Sequence, residues 1–152
     1  MAEARLEDDG SGLAPAGWFV VNVREAQWFT TKEGEQQPIG SECYFESSKA
    51  EFRQLGSRIH VLPPGQSNGL YHGENKQEDF LVLSGECLLL IDGEERQLRA
   101  WDFVHCPPWT EHIFVGASDE PCAILMAGAG PWLVEYPNSP RPASDDPLFA
   151  LH

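Results

Sequence analysis

From Glu78 to Ala127 the chain is written in short apolar runs with polar residues between them: EDFLVLS, CLLLI, ERQL, DFVHC, HIFV and CAILMA. Residues two apart on a strand share a face, and runs of this length rich in Val, Ile, Leu and Phe predict strands. Upstream, the same criteria select Trp18–Val23, Glu42–Glu46, Arg58–Leu62 and Gly69–Glu74, and downstream Trp132–Glu135. Turn signals punctuate them: PPGQSNG, SG, DGEE, PPWTE, SDEP and GAGP. Asp92-Gly93 between two apolar runs marks a tight hairpin. Only Ser48 to Leu55 reads as a candidate helix. About ten short strands in one domain need two packed sheets or a closed barrel. The expectation is an all-β fold.

The two ends break the pattern. Residues 1–16 are rich in Glu, Asp, Gly and Ala, and 137–152 hold four prolines. Both predict flexible tails around a domain at 17–136. The second tail ends in Leu148, Phe149 and Leu151, which suit docking on another surface. With 10 Lys and Arg against 24 Asp and Glu, the net charge is −14. Such a chain is repelled by nucleic acid and by anionic membranes, so neither is an expected partner. No apolar stretch has the length of a signal peptide or a membrane span. Cys43, Cys87, Cys106 and Cys122 are widely spaced, which reads as four reduced thiols in a cytoplasmic protein.

The chemistry gathers in YHGENKQEDF. His72 and Glu74 share a face by alternation. If Asn75-Lys76-Gln77 is a hairpin loop, Glu78 stands across from Glu74 on that face. The face continues inward through Phe80 and Val82. Two carboxylates on an interior face need a compensating positive charge, and Lys76 sits at the turn tip. A divalent cation with a histidine ligand answers that need. A loop that flares into water, with all three groups solvated, is the alternative. WDFVHCPPWTEHIFVG repeats the arrangement, with His112 and Phe114 on one face of a strand that follows a proline turn.

These two segments resemble the paired motifs of the cupin superfamily. The first has Gly65, six residues, His72-x-Glu74, three residues, Glu78, six residues and Gly85. The second has Trp101, five residues, Pro107-x-Trp109, two residues, His112, three residues and Gly116. The similarity spans roughly Arg58 to Ala127. It implies a single-domain cupin, a double-stranded antiparallel β-helix or jelly-roll barrel. It also implies a metal on His72, Glu78 and His112. This chain departs from the pattern at Glu74, where the family has a second histidine, at both tryptophans, where it has glycine, and at Gly116, where it has asparagine. Glu74 is then either a fourth ligand or a partner of His72 or of a water. A set of two histidines and two carboxylates favours Mn, Fe or Zn over Cu(I), with Ni also admitted.

Phe80, Trp109 and Phe114 are the expected pocket residues, Trp109 serving either as a lid or as a subunit contact. His105 and His60 read as satisfied histidines outside the metal set, and Trp18, Trp28, Trp101 and Trp132 as core or interface residues. Two functions follow for a pocket holding one divalent transition metal and a small oxygen-bearing organic molecule. One is an enzyme of oxygenase or isomerase type, with Glu74 as its base. The other is a non-catalytic binder or sensor. A homodimer through the N-terminal strand near Trp18 is expected.

Overall fold

The structure is a computed structural model that describes residues 2–3, 17–33, 37–45, 52, 54–129 and 134–135. Every regular element in it is a strand: β1 Phe29–Glu33, β2 Gln37–Tyr44, β3 Gly56–Leu62, β4 Gly73–Glu74, β5 Glu78–Ser84, β6 Glu86–Ile91, β7 Glu94–Arg99, β8 Phe103–Cys106, β9 His112–Gly116, β10 Cys122–Gly128 and β11 Val134–Glu135. They form a six-stranded sheet in the order β1-β2-β3-β10-β5-β8, a three-stranded sheet β7-β6-β9, and the pair β11-β4. All pairings are antiparallel. The fold is a jelly-roll barrel whose inner faces meet in one core. Leu62, Phe80, Val82, Cys87, Leu89, Cys106, Phe114, Cys122, Ile124 and Met126 are buried in it. Each core strand supplies alternate residues, as in CAILMAG, where Cys122, Ile124 and Met126 face in.

The β6–β7 hairpin turns on Asp92 and Gly93 at φ 47° and 78°. Both values suit a type I′ turn, whose twist matches the flanking strands. All four cysteines are free and buried. Among the described residues no helix is long and apolar enough to cross a membrane.

Two expectations are corrected and a third is narrowed. Trp18 makes one isolated bridge to Glu3 instead of opening a strand at 18–23. Of the two roles expected for Trp18 and Trp101, their exposure removes the core and leaves the interface. Glu74 and Glu78 do not face each other across a hairpin: β4 pairs with β11, whereas β5 lies between β8 and β10. The expected helix falls mostly outside the described residues, as do both tails and Trp132.

Candidate metal centre

The expected ligands come from three places in the chain. His72 and His112 form an isolated antiparallel bridge, exchanging backbone hydrogen bonds of 3.2 and 2.8 Å. Their rings lie 4.9 Å apart between centroids. Glu78 opens β5, which pairs with β10 in the other sheet and turns its side chain into the same interior. One donor atom from each of His72, Glu78 and His112 lies within 4.8 Å of the others, and all three residues are buried. Below them Phe80 packs on Phe114 at 4.8 Å and on the His112 ring at 5.2 Å, forming an apolar floor.

Backbone carbonyls fix both imidazoles. His72 Nδ1 is 2.6 Å from Leu70 O, and His112 Nδ1 is 2.8 Å from Thr110 O. A carbonyl only accepts, so each Nδ1 carries the proton and each Nε2 is turned inward. There His112 Nε2 lies 3.1 Å from Glu78 Oε2, and His72 Nε2 lies 3.5 Å from Glu74 Oε1. Two imidazole lone pairs aimed at two buried carboxylates repel unless a cation stands between them. A proton can do this for one pair. A divalent ion does it for the whole group.

Glu74 is inside but stands apart from the three-residue group. Its backbone oxygen accepts from Trp109 N at 2.5 Å, and its Oε2 is buried without a hydrogen-bond partner. Burial pushes its carboxyl above the usual range, the His72 contact opposes this, and the Glu78 charge reinforces it. Burial is the largest influence on Glu78 and disfavours its charge, but the hydrogen bond from His112 and the charges of His112, His72 and Arg58 together outweigh it, and the carboxyl falls below its usual range. Burial is also the largest influence on His112 and lowers it, but the Glu78 contact, the Thr110 carbonyl and the Glu74 charge together raise it. An ion held about 2.1 Å from each donor allows donor separations up to about 4.2 Å, so a slight contraction of the group closes a site. The residues present fit a metal.

Trp109, at 47% exposure, borders the group through its backbone contact with Glu74, and the gap over Gly73 is narrow enough that a Cβ there would meet Trp109 O at 3.2 Å. His105 points outward and pairs with Asp79 at 2.6 Å. Sequence reasoning missed a second polar group on the same interior. Glu42 and His60 are register partners, as are Tyr44 and Arg58. Glu42 Oε1 is 3.0 Å from His60 Nδ1 and 4.0 Å from Arg58 Nε, and the Tyr44 hydroxyl donates to Glu42 Oε2. The available signal was parity: Arg58 and His60 alternate with Leu62, a core residue.

Residues 58–128 match the family model described as a cupin domain. The chain is 30% identical over 67 residues to gentisate 1,2 dioxygenase 1 of Aquipseudomonas alcaligenes, a match covering 44% of this chain and 19% of that protein. It thus spans about a fifth of the length of that relative. Among solved structures, a sugar phosphate isomerase from Silicibacter pomeroyi superposes with a TM-score of 0.59 at 24% identity, covering 66% of this chain and 67% of the other. The polyketide cyclase RemF from Streptomyces resistomycificus superposes with a TM-score of 0.67 at 14% identity, covering 86% and 95%. At these identities the superpositions establish the fold.

Proposed function

The chain belongs to the cupin superfamily, and on that premise we propose that it is a metal-dependent enzyme acting on a small oxygen-bearing organic molecule. His72, Glu78 and His112 are the ligands. Two imidazoles and one carboxylate form the set that suits a non-haem Fe(II) oxygenase, and Mn or Zn is also compatible with it. The observation that carries this reading is the pair of inward Nε2 atoms, each fixed by a carbonyl behind it and facing a carboxylate. The likeness to a dioxygenase supports oxygenase chemistry, and that to an isomerase supports proton transfer. The metal, when bound, supplies a Lewis acid that polarises an oxygen of the substrate.

The protein's own residues supply the rest. Phe80 and Phe114 exclude water from the floor. Glu74, beside His72 and with one oxygen unpaired, is placed to hold or move a proton at Oε2. Four free buried thiols support a reducing, cytoplasmic setting.

Elemental analysis of protein purified without chelator tests the proposal. About one transition metal per chain is expected, lost in a His72→Ala, His112→Ala double variant. Glu74→Ala should weaken metal affinity about 10- to 100-fold, whether it ligates directly or supports His72. Wild-type protein with no affinity for Fe, Mn, Ni or Zn sinks the proposal.

A further inference from the structure

Cys87 and Cys122 are buried nucleophilic groups that the metal centre does not use. Cys87 lies on β6 of the three-stranded sheet, Cys122 opens β10 of the six-stranded sheet, and both are fully buried in the shared core. Packed sheets stand about 10 Å apart, and cysteines whose Cα atoms are more than about 7 Å apart cannot be bridged. These two sit where the sheets converge. β5 passes into β6 through the single residue Gly85, and Ser84 just before it is a register partner of Ala123. Gly85 takes a left-handed φ of 74°, and a Cβ there would lie 2.9 Å from Cys122 Cα. The turn therefore runs directly over Cys122, and Cys87 follows it by two residues. From the other side Ala117 N donates to Glu86 O at 3.2 Å and closes the same corner. Within it the two thiols are hydrogen-bonded to each other.

That bond gives the two sulfurs unlike characters. It is the largest influence on Cys122 and holds it below the usual thiol range against the effect of burial. The same bond is the largest influence on Cys87 and raises it, with burial and the charges of Cys122 and Asp102 acting in the same direction. Cys87 is the donor and Cys122 the nucleophile. A thiolate with a second thiol in contact is the arrangement that converts a sulfenic acid into a disulfide. Only one layer of chain covers the pair: Glu86 beside Cys87 is exposed, and so are Asp119, Glu120 and Pro121 beside Cys122. Opening of such a turn at a strand end is among the least costly local fluctuations. Cys43 and Cys106 are placed differently, on β2 and β8 with β3, β10 and β5 between them.

We propose that Cys87 and Cys122 are a peroxide-sensitive dithiol whose oxidation staples the two sheets together at the end of β5 opposite Glu78. The Cys122 thiolate attacks one oxygen of hydrogen peroxide. An S–O bond forms, the O–O bond breaks, and the leaving hydroxide takes up the proton that the Cys122 thiol released. The Cys87 sulfur then attacks the Cys122 sulfur. The S–S bond forms, the S–O bond breaks, and hydroxide leaves with the Cys87 proton as a second water. The two thiols lose two electrons, and one peroxide is reduced to two waters. The new bond joins positions 35 residues apart in the chain and restricts the unfolded state accordingly.

Hydrogen peroxide added to the folded full chain tests this, with a chelator present so that no bound metal takes part. After removal of peroxide the protein is unfolded in an alkylating agent and mapped by mass spectrometry without reduction. Cys87 and Cys122 should be joined to each other, and Cys43 and Cys106 should be alkylated. In urea the oxidised protein should unfold at a midpoint higher by about 1 M or more, and dithiothreitol should reverse the rise. Cys87→Ser should stop at a Cys122 sulfenic acid that dimedone traps, and Cys122→Ser should leave Cys87 unoxidised. The wild-type map decides the matter even if neither variant folds. Four thiols that all remain alkylatable, a link through Cys43 or Cys106, or a linked form whose midpoint does not rise overturns the proposal.

Discussion

Glu42 and Glu74 are both buried carboxylates on the barrel's inner face, yet burial has opposite outcomes for them. For each, desolvation is the largest influence and raises the pKa. At Glu42 the His60 contact, the charges of Arg58 and His60 and the Tyr44 hydroxyl overcome it, and the carboxyl falls to about 2. At Glu74 the His72 contact at 3.5 Å and the charge of Arg58 do not suffice against burial and the Glu78 charge. A carboxyl lowered from 4.5 to about 2 stabilises the fold above pH 4.5, and that contribution is lost as pH falls toward 2. Glu42→Gln keeps the shape and removes the charge. In urea unfolding, wild type should exceed Glu42→Gln by on the order of 3 kcal/mol at pH 6. The gap should shrink steadily below pH 4.5; a gap that stays constant down to pH 3 would mean that Glu42 is not held ionised by these neighbours.

At the scale of elements, the positions where this chain departs from the family motif behave as backbone requirements. Trp101 and Trp109 adopt φ of 76° and 68°, the left-handed region that glycine favours. A non-glycine residue there costs roughly 1–2 kcal/mol. Trp101 is 78% exposed, so little packing offsets that cost. Trp101→Gly should therefore be more stable than Trp101→Ala by about 1 kcal/mol in chemical denaturation, because alanine keeps the strain. Equal stabilities would show the turn to be unstrained. Gly116, where the family has asparagine, leaves no room for a side chain, since a Cβ would sit 2.3 Å from Pro63 O. The strands from β5 to β10 were legible because EDFLVLS and CAILMAG alternate cleanly between core and surface. FTTKE has no apolar alternation, so β1 was invisible. The nearness of Glu74 and Glu78 in sequence suggested a hairpin. Their backbones are instead committed to Val134 and Trp109 on one side and to Cys106 and Gly128 on the other. The proposed ligand set was legible as a resemblance. The His72–His112 bridge joins segments 40 residues apart, a distance over which local periodicity is silent.

For the molecule as a whole, the six-stranded sheet ends in β1 on one side and β8 on the other. A strand at a sheet edge offers unpaired donors and acceptors, and proteins blunt such edges with charge or cover them. On β8 the outward residues are Phe103, 63% exposed, and His105, with exposed Trp101 just before the strand. Large aromatics are enriched in the buried centres of interfaces, and an edge strand can pair with its own copy about a two-fold axis. Trp18 and Val20 offer a second exposed apolar segment, now without the strand first expected there. We therefore propose a homodimer, and place its interface at the aromatic edge of β8 in preference to the segment near Trp18 where it was first expected. The chain has a mass of 16.9 kDa, so light scattering at micromolar concentration should give about twice that value for wild type. A Trp101→Glu, Phe103→Glu double variant should return it to the monomer mass, while Trp18→Glu should not. Wild type that scatters as a monomer refutes the dimer, and a dimer that survives the double variant but not Trp18→Glu moves the interface to the N-terminal segment.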